Sequence, residues 1–139
     1  MDTDVYPRPV SQIESWDFEA DVVIAGYGIA GVAAAVEAAS VGADVLVLER
    51  TGGWGGAAAM AGGFIYLGGG TTLQKACGFD DSVDSMTAFL NVAMGPGADP
   101  NRIDDYCGGS VDHFDWLVKC GVPFKPVFWG EPGLSLIHI

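Results

Sequence analysis

Long apolar runs, paired cysteines and positive charge are all scarce in this chain of 139 residues. No apolar run approaches the ~18 residues that a membrane-crossing helix needs, so we expect no transmembrane segment. The three cysteines include no CxxC pair, which argues against a disulfide scaffold or a zinc site and favours buried free thiols. Six lysines and arginines stand against 18 acidic residues, and the net charge of −12 disfavours nucleic acid, whose phosphates would be repelled.

Histidine is equally scarce, with two in the chain. His113 stands beside Asp112 and close to Asp115, but further ligands are lacking. We interpret these three residues as the solvated face of a helix and expect no metal centre. The segment 1–20 is acidic, carries prolines and has no apolar core of the kind that a secretory signal needs. It predicts an N-terminal arm and a cytoplasmic location.

Glycine, by contrast, is abundant, with 21 residues, and it forms a recognisable pattern near the N-terminus. An apolar run at 21–25 leads into Gly26-x-Gly28-x-x-Gly31, and an alanine-rich helical segment follows. In a dinucleotide-binding turn the first glycine allows the sharp bend, the second admits the pyrophosphate and the third lets the helix pack on the strand. The helix N-terminus would offer its free N–H groups to the phosphates.

A second apolar run ends on Glu49, 18 residues after Gly31. A carboxylate at this place can accept hydrogen bonds from both hydroxyls of the adenosine ribose. It would also repel a 2′-phosphate, which disfavours NADP. A glycine-rich turn of some other α/β protein is the alternative, but the strand before, the helix after and the acidic residue favour a nucleotide site.

The next segment is a glycine-rich stretch from 52 to 70, where an NAD-type domain would usually continue into a crossover helix. Its bare backbone can wrap a large flat cofactor and offer N–H groups to it. A flexible linker is the alternative, but the apolar side chains of Trp54, Met60 and Phe64 argue against it.

Two helices are predicted further along the chain. The first covers 82–92 and begins at Ser82. The second opens with Asp99 as N-cap, has Pro100 in its first turn and ends at Gly121, with a weak point at Gly108-Gly109. Apolar residues recur at helical spacing along this second segment, which predicts one amphipathic helix.

Five segments follow one another along the chain: GxGxxGxxxA, GADVLVLER, GG-x5-GG, IYLGGGTTLQKACGFDDS and MGPGADPNRIDDYCGGSVDHFDWLVKCGVPFK. In the order of these segments the chain resembles the flavoprotein family of fumarate reductases and succinate dehydrogenases, and most nearly its 3-ketosteroid dehydrogenase-like branch. The resemblance covers about 21–125 and the N-terminal part only of the family's FAD-binding domain. It implies an α/β, Rossmann-type, glutathione-reductase-like fold. We expect an arm at 1–20, a partial FAD-binding domain at 21–132 and an atypical tail at 133–139 that is a truncation or frame artefact.

The resemblance implies FAD as cofactor and assigns its contacts residue by residue. The pyrophosphate turn corresponds to Gly26, Gly28, Ile29, Ala30 and Gly31. The ribose carboxylate and its basic neighbour correspond to Glu49 and Arg50. The second cofactor loop corresponds to Gly55, Gly56, Ala57, Ala58, Gly62 and Gly63. The succinate-oxidising branch attaches FAD through a histidine in this loop, and no histidine lies between Glu49 and Asp112. We therefore expect non-covalent FAD.

The function implied is the introduction or reduction of a C=C bond next to a carbonyl or carboxylate. The substrate of the full-length parent would be a steroid or an unsaturated acid, and the electron carrier is not indicated. Catalytic residues would lie beyond this segment, so the chain alone is expected to be inactive, and Tyr66 is assigned to packing. An NAD-binding oxidoreductase fragment and a non-catalytic nucleotide-binding module stay as alternatives.

Overall fold

The computed structural model describes residues 7–128, and the predicted tail at 133–139 lies outside them. The chain divides into two compact units, Met1–Ala61 and Gly62–Ile139, which are described separately. No helix within the described residues is long and apolar enough to cross a membrane.

The first unit is built on a strand–helix–strand element. Strand β1 (Val22–Ala25) is followed by helix α1 (Ile29–Ser40) and strand β2 (Val45–Leu48). The two strands pair in parallel, with Val22 opposite Val45 and Ala25 opposite Leu48. Parallel neighbours require a crossover connection, and the alanine-rich α1 supplies it because alanine has the highest helix propensity. These elements confirm the strand, helix and strand predicted around the glycine motif.

Two short 3-10 turns complete the described part of this unit. Val10–Gln12 forms one of them in the N-terminal arm. The other is Gly56–Met60, within the second glycine-rich segment. The expected open loop is therefore partly a regular turn.

The second unit is helical. It contains α2 (Thr72–Ala76), α3 (Val83–Met94), α4 (Pro100–Gly108) and α5 (Ser110–Lys119). Helices α3 and α4 pack together, and their buried contact consists of Met86, Ile103 and Cys107, with Val83, Leu90 and Ala98 against it.

The predicted helix starts are confirmed. The Ser82 side chain accepts from the Ser85 N–H, and the Asp99 side chain accepts from the Asn101 N–H with Pro100 in the first turn. Each cap satisfies one of the N–H groups that have no partner within the helix.

The prediction of one continuous helix after Asp99 is wrong, because the chain breaks at Gly109 into α4 and α5. Two adjacent glycines each lower helix propensity by about 1 kcal/mol relative to alanine, which makes this the weakest point of the segment. The following residue, Ser110, is almost fully buried, and its hydroxyl accepts the Gly68 N–H. The break thus coincides with a tertiary hydrogen bond.

The prediction of buried thiols holds for only one of the three cysteines. Cys107 is fully buried, Cys77 is partly buried and Cys120 is exposed. Cys120 follows the last residue of α5 as its C-cap, where the apolar spacing of the helix no longer directs a side chain inward.

Candidate cofactor site

The glycine turn begins where β1 ends. Gly26 has a φ of 104°, a conformation that side-chain-bearing residues rarely adopt, and its N–H donates to the Leu48 carbonyl at 2.7 Å. The turn is therefore fixed directly to the end of β2. A residue with a side chain at position 26 would be strained.

Gly31 is required by packing within the unit. A Cβ atom at this position would lie 2.0 Å from the Gly26 carbonyl oxygen and 3.3 Å from the Ile24 side chain. Helix α1 can approach the strand and the turn this closely only because residue 31 has no side chain. The third glycine of the motif therefore has the role that the sequence predicts.

Gly28 differs from Gly26 and Gly31, the other two glycines of the motif. Its φ of −82° and ψ of −176° are extended values open to any residue, and a Cβ atom there would meet nothing within 4 Å. Neither its conformation nor its packing demands glycine. The open space beside its backbone is what a pyrophosphate would need, so the turn can accommodate that group.

The N-terminus of α1 carries neither a side-chain cap nor an acidic side chain in its first turn. Its N-cap is Gly28. Ile29, Ala30 and Gly31 form this first turn, where backbone N–H groups have no partner within the helix. Together with the positive end of the helix dipole, they suit an anionic ligand.

The second glycine segment lies against the first. The Gly55 N–H donates to the Tyr27 carbonyl at 2.7 Å, and Gly28 and Gly55 form a parallel bridge. A Cβ atom at Gly56 would come within 3.3 Å of the Gly28 Cα. The structure thus brings Gly55 and Gly56 to the turn at 26–28.

The other residues predicted to contact the cofactor lie elsewhere along the chain. Ala57 and Ala58 are exposed in the 3-10 turn that starts at Gly56, and Arg50 is exposed after β2. Gly62 and Gly63 belong to the second unit, and their assignment to the cofactor stays a prediction.

Glu49 follows β2 directly and is already engaged by the protein. Its Oε2 accepts the Tyr27 N–H at 2.8 Å, and its Oε1 accepts the Thr51 N–H at 2.8 Å and the Thr51 hydroxyl at 2.9 Å. The Thr51 and Tyr27 N–H groups are the main cause of a Glu49 pKa lowered to about 2. The carboxylate is therefore ionised at neutral pH. No sequence pattern indicates that Tyr27 and Thr51 would hold it.

A third run of glycines, Gly68–Gly70, has a different use. The Gly68 N–H donates to the Ser110 hydroxyl at 2.9 Å, the Gly69 N–H to Asp81 at 2.8 Å and the Gly70 N–H to the Gln74 side chain at 3.1 Å. All three N–H groups are thus satisfied by side chains of the same unit. This run of glycines is fixed by hydrogen bonds within its unit, and its three N–H groups are not available to a phosphate.

Asp81 is the centre of this arrangement. Its Oδ2 also accepts from the Gln74 amide at 2.7 Å, and its Oδ1 accepts the Ser82 N–H at 2.8 Å. Partial burial raises the pKa of Asp81, but the hydrogen bonds from Gly69, Gln74 and Ser82 outweigh it and leave the pKa below its ordinary value.

Tyr66 packs beside a cavity of about 300 Å³ in the second unit. Its ring lies 6.3 Å from that of Phe89, and its carbonyl accepts a hydrogen bond from the Tyr106 hydroxyl. Burial, with the Asp81 charge, raises the pKa of Tyr66 above its ordinary value. These contacts agree with a packing role for Tyr66.

No group of three or more potential metal ligands occurs among residues 7–128. Asp112, His113 and Asp115 are all exposed on α5, and the His113 ring contacts Trp116.

Known proteins are similar to this chain in sequence and in fold. The sequence model of the FAD binding domain family matches residues 21–134, so the chain belongs to that family, and FAD is its cofactor. A 3-oxo-5-alpha-steroid 4-dehydrogenase of Comamonas testosteroni is 37% identical over 83% of this chain and 21% of its own length. The acrylate reductase flavoprotein subunit of Shewanella woodyi is 37% identical over 80% of this chain and 22% of its own length.

A solved structure is also similar. It is 3-ketosteroid-delta4-(5alpha)-dehydrogenase from Rhodococcus jostii RHA1 in complex with 4-androstene-3,17-dione, which is 70% identical, with a TM-score of 0.79 over 93% of this chain and 27% of that one. The chain spans about a fifth of the length of the two curated relatives, which are a steroid dehydrogenase and a reductase flavoprotein subunit. The resemblance inferred from the motifs is confirmed, and so is the FAD-binding domain fold with helices and a small parallel sheet.

Proposed function

We propose that this chain forms the adenosine-diphosphate-binding part of an FAD-dependent oxidoreductase that introduces or reduces a C=C bond next to a carbonyl or carboxylate. Gly28 carries the proposal. Neither its conformation nor its packing requires glycine, and it is the N-cap of a helix that has no side-chain cap, directly beside the second glycine segment. Space without an internal occupant, next to anion-binding groups, supports a pyrophosphate position.

The strand–helix–strand element with this turn supports the finer assignment to a Rossmann-type, glutathione-reductase-like domain. In this assignment the first-turn N–H groups of α1 hold the pyrophosphate, and Glu49 accepts hydrogen bonds from the adenosine ribose. Gly55 and Gly56 contribute backbone, and Ala57 and Ala58 have no side-chain donors, so that loop offers only its N–H groups. Arg50 completes the proposed contacts within the first unit, and cofactor contacts of Gly62 and Gly63 stay a prediction from the sequence resemblance.

Glu49 has room for the ribose although it is already hydrogen-bonded. An ionised carboxylate has about four acceptor positions, and the Tyr27 and Thr51 donors occupy up to three. The Thr51 hydroxyl has a single hydrogen and an alternative acceptor in the Gly53 carbonyl at 3.0 Å. At least one acceptor position on Glu49 therefore stays open for a ribose hydroxyl while Thr51 still holds the carboxylate.

When bound, FAD supplies the hydride-transfer chemistry at its isoalloxazine ring. The described residues of this chain bind and orient the other end of the cofactor. We assign no proton-transfer role to them, and the catalytic acids or bases belong to the parts of the relatives that this chain does not match. The 139-residue chain alone is therefore expected to show no turnover.

A steroid is the substrate class we favour over an unsaturated acid. The support is the 70% identity to the dehydrogenase whose solved complex contains 4-androstene-3,17-dione. An NAD-binding oxidoreductase is now disfavoured by the family match, and a non-catalytic nucleotide-binding module stays as the alternative.

The test is an anaerobic titration of the full-length, FAD-loaded protein with a saturated 3-ketosteroid and, separately, with a saturated carboxylic acid. Bleaching of the flavin absorbance near 450 nm by the steroid alone supports the proposal. Bleaching by the carboxylic acid alone would show that the substrate is an acid and not a steroid. An FAD-loaded protein that responds to neither, and whose dithionite-reduced form is reoxidised by neither unsaturated product, would favour the binding module.

A further inference from the structure

The backbone of Tyr27 is held on both sides by the segment that follows β2. Its N–H donates to Glu49 Oε2 at 2.8 Å, and its carbonyl accepts the Gly55 N–H at 2.7 Å. Tyr27 lies between Gly26 and Gly28, so these two bonds set the path of the turn at the place where a pyrophosphate would approach.

The other oxygen of the same carboxylate holds the second glycine segment. Glu49 Oε1 accepts both the N–H and the hydroxyl of Thr51, and the hydroxyl can instead reach the Gly53 carbonyl at 3.0 Å. One side chain therefore connects the turn at 26–28 with the segment at 51–55. Every one of these bonds is formed within the protein, without any ligand.

We propose that Glu49 braces the two glycine segments of the cofactor site before FAD binds, and that Thr51 is the positioning residue that fixes the Glu49 carboxylate. Glycine-rich backbone has many conformations to lose on binding, and a ligand that must order it binds more weakly. A brace that orders both segments in the free protein removes much of this cost. Glu49 thus acts on FAD affinity twice, through the ribose and through the shape of the site.

The brace itself makes no use of FAD, whereas its effect on affinity rests on the proposed function. The experiment therefore has two separate readouts. Amide hydrogen exchange of the FAD-free full-length protein reports the brace, and fluorescence titration with FAD reports the consequence. Failure of FAD to bind the unmodified protein would overturn the proposed function, while the exchange readout would still decide on the brace.

Three variants separate the parts of the brace. Thr51→Val removes the hydroxyl with little change of shape, Thr51→Ser keeps it, and Glu49→Gln replaces one acceptor oxygen with a donor. We expect Thr51→Val to speed amide exchange in 51–56 and to weaken FAD binding about fivefold, the usual effect of losing one hydrogen bond. Thr51→Ser should stay within about twofold of the unmodified protein in both readouts.

Glu49→Gln should speed exchange in both 26–28 and 51–56, because the carboxylate holds both. Thr51 is at the surface, so a lost hydroxyl should leave the fold intact, and equal melting temperatures of the Val and Ser variants check this. Exchange rates unchanged in both Thr51→Val and Glu49→Gln would overturn the brace. Equal loss of FAD affinity in the Val and Ser variants would overturn the positioning role of the hydroxyl.

Discussion

Replacing Gly31 by alanine should lower the stability of the protein, whereas replacing Gly28 by alanine should weaken FAD binding, although the two glycines belong to one motif. At position 31 the new Cβ atom would sit 2.0 Å from the Gly26 carbonyl oxygen, about 1 Å closer than such contacts allow. Backbone oxygen cannot move aside as the end of a side chain can. We therefore expect Gly31→Ala to lower the free energy of unfolding by about 3 kcal/mol or more, at the upper end of overpacking effects.

At position 28 the same methyl group meets no protein atom within 4 Å, and the backbone conformation suits alanine. Gly28→Ala should therefore change the free energy of unfolding by less than about 1 kcal/mol, because the restriction of the unfolded chain by alanine offsets the preference for glycine over alanine at an N-cap. It should nevertheless weaken FAD binding at least tenfold, since the methyl group occupies the space proposed for the pyrophosphate.

The assays are denaturant unfolding of the FAD-free protein and fluorescence titration with FAD. Gly97→Ala is the matched control, because Gly97 is exposed and a Cβ atom there also meets nothing within 4 Å. It should change neither quantity. An unchanged FAD dissociation constant in Gly28→Ala would refute the pyrophosphate assignment, and full stability of Gly31→Ala would refute the packing argument.

Three further predictions concern charge and cofactor attachment. The folded-state pKa of Glu49 is lowered from 4.5 to about 2, so the stabilising effect of its carboxylate is present above pH 4.5 and is lost as the pH falls toward 2. The difference in melting temperature between the unmodified protein and Glu49→Gln should therefore shrink over that interval. A difference that stays constant with pH would contradict this prediction. Asp81→Asn should destabilise the second unit by about 1–3 kcal/mol, measured by denaturant unfolding, because an amide cannot accept from all three of its donors; wild-type stability would contradict this. Acid precipitation of the FAD-loaded protein should leave the flavin in the supernatant, and flavin retained on the polypeptide would show covalent attachment.

The elements that were predicted correctly have signals that are local in the sequence. The turn at Gly26, the alanine-rich α1 and the caps at Ser82 and Asp99 each depend on residues within a few positions of one another. Propensity and capping rules act over this distance.

The features that were missed depend on partners far along the chain. Gly68 is bonded to Ser110, 42 residues later, so nothing in the glycine run itself reveals that its N–H groups are occupied. The break at Gly109 was visible as a weak point, but the burial of Ser110 that accompanies it arises only in the folded unit. Likewise, the motif predicts Glu49 as a ribose ligand and could not show that Tyr27 already donates to it.

The most direct test of the FAD assignment is titration of FAD into the full-length protein and its Glu49→Ala variant. Removal of the carboxylate takes away both the ribose acceptor and the connection between the two glycine segments. The account predicts a dissociation constant at least about tenfold weaker for the variant, at a pH near 7 where Glu49 is ionised. Equal dissociation constants for the two proteins would contradict it, because the adenosine end of FAD would then be held elsewhere.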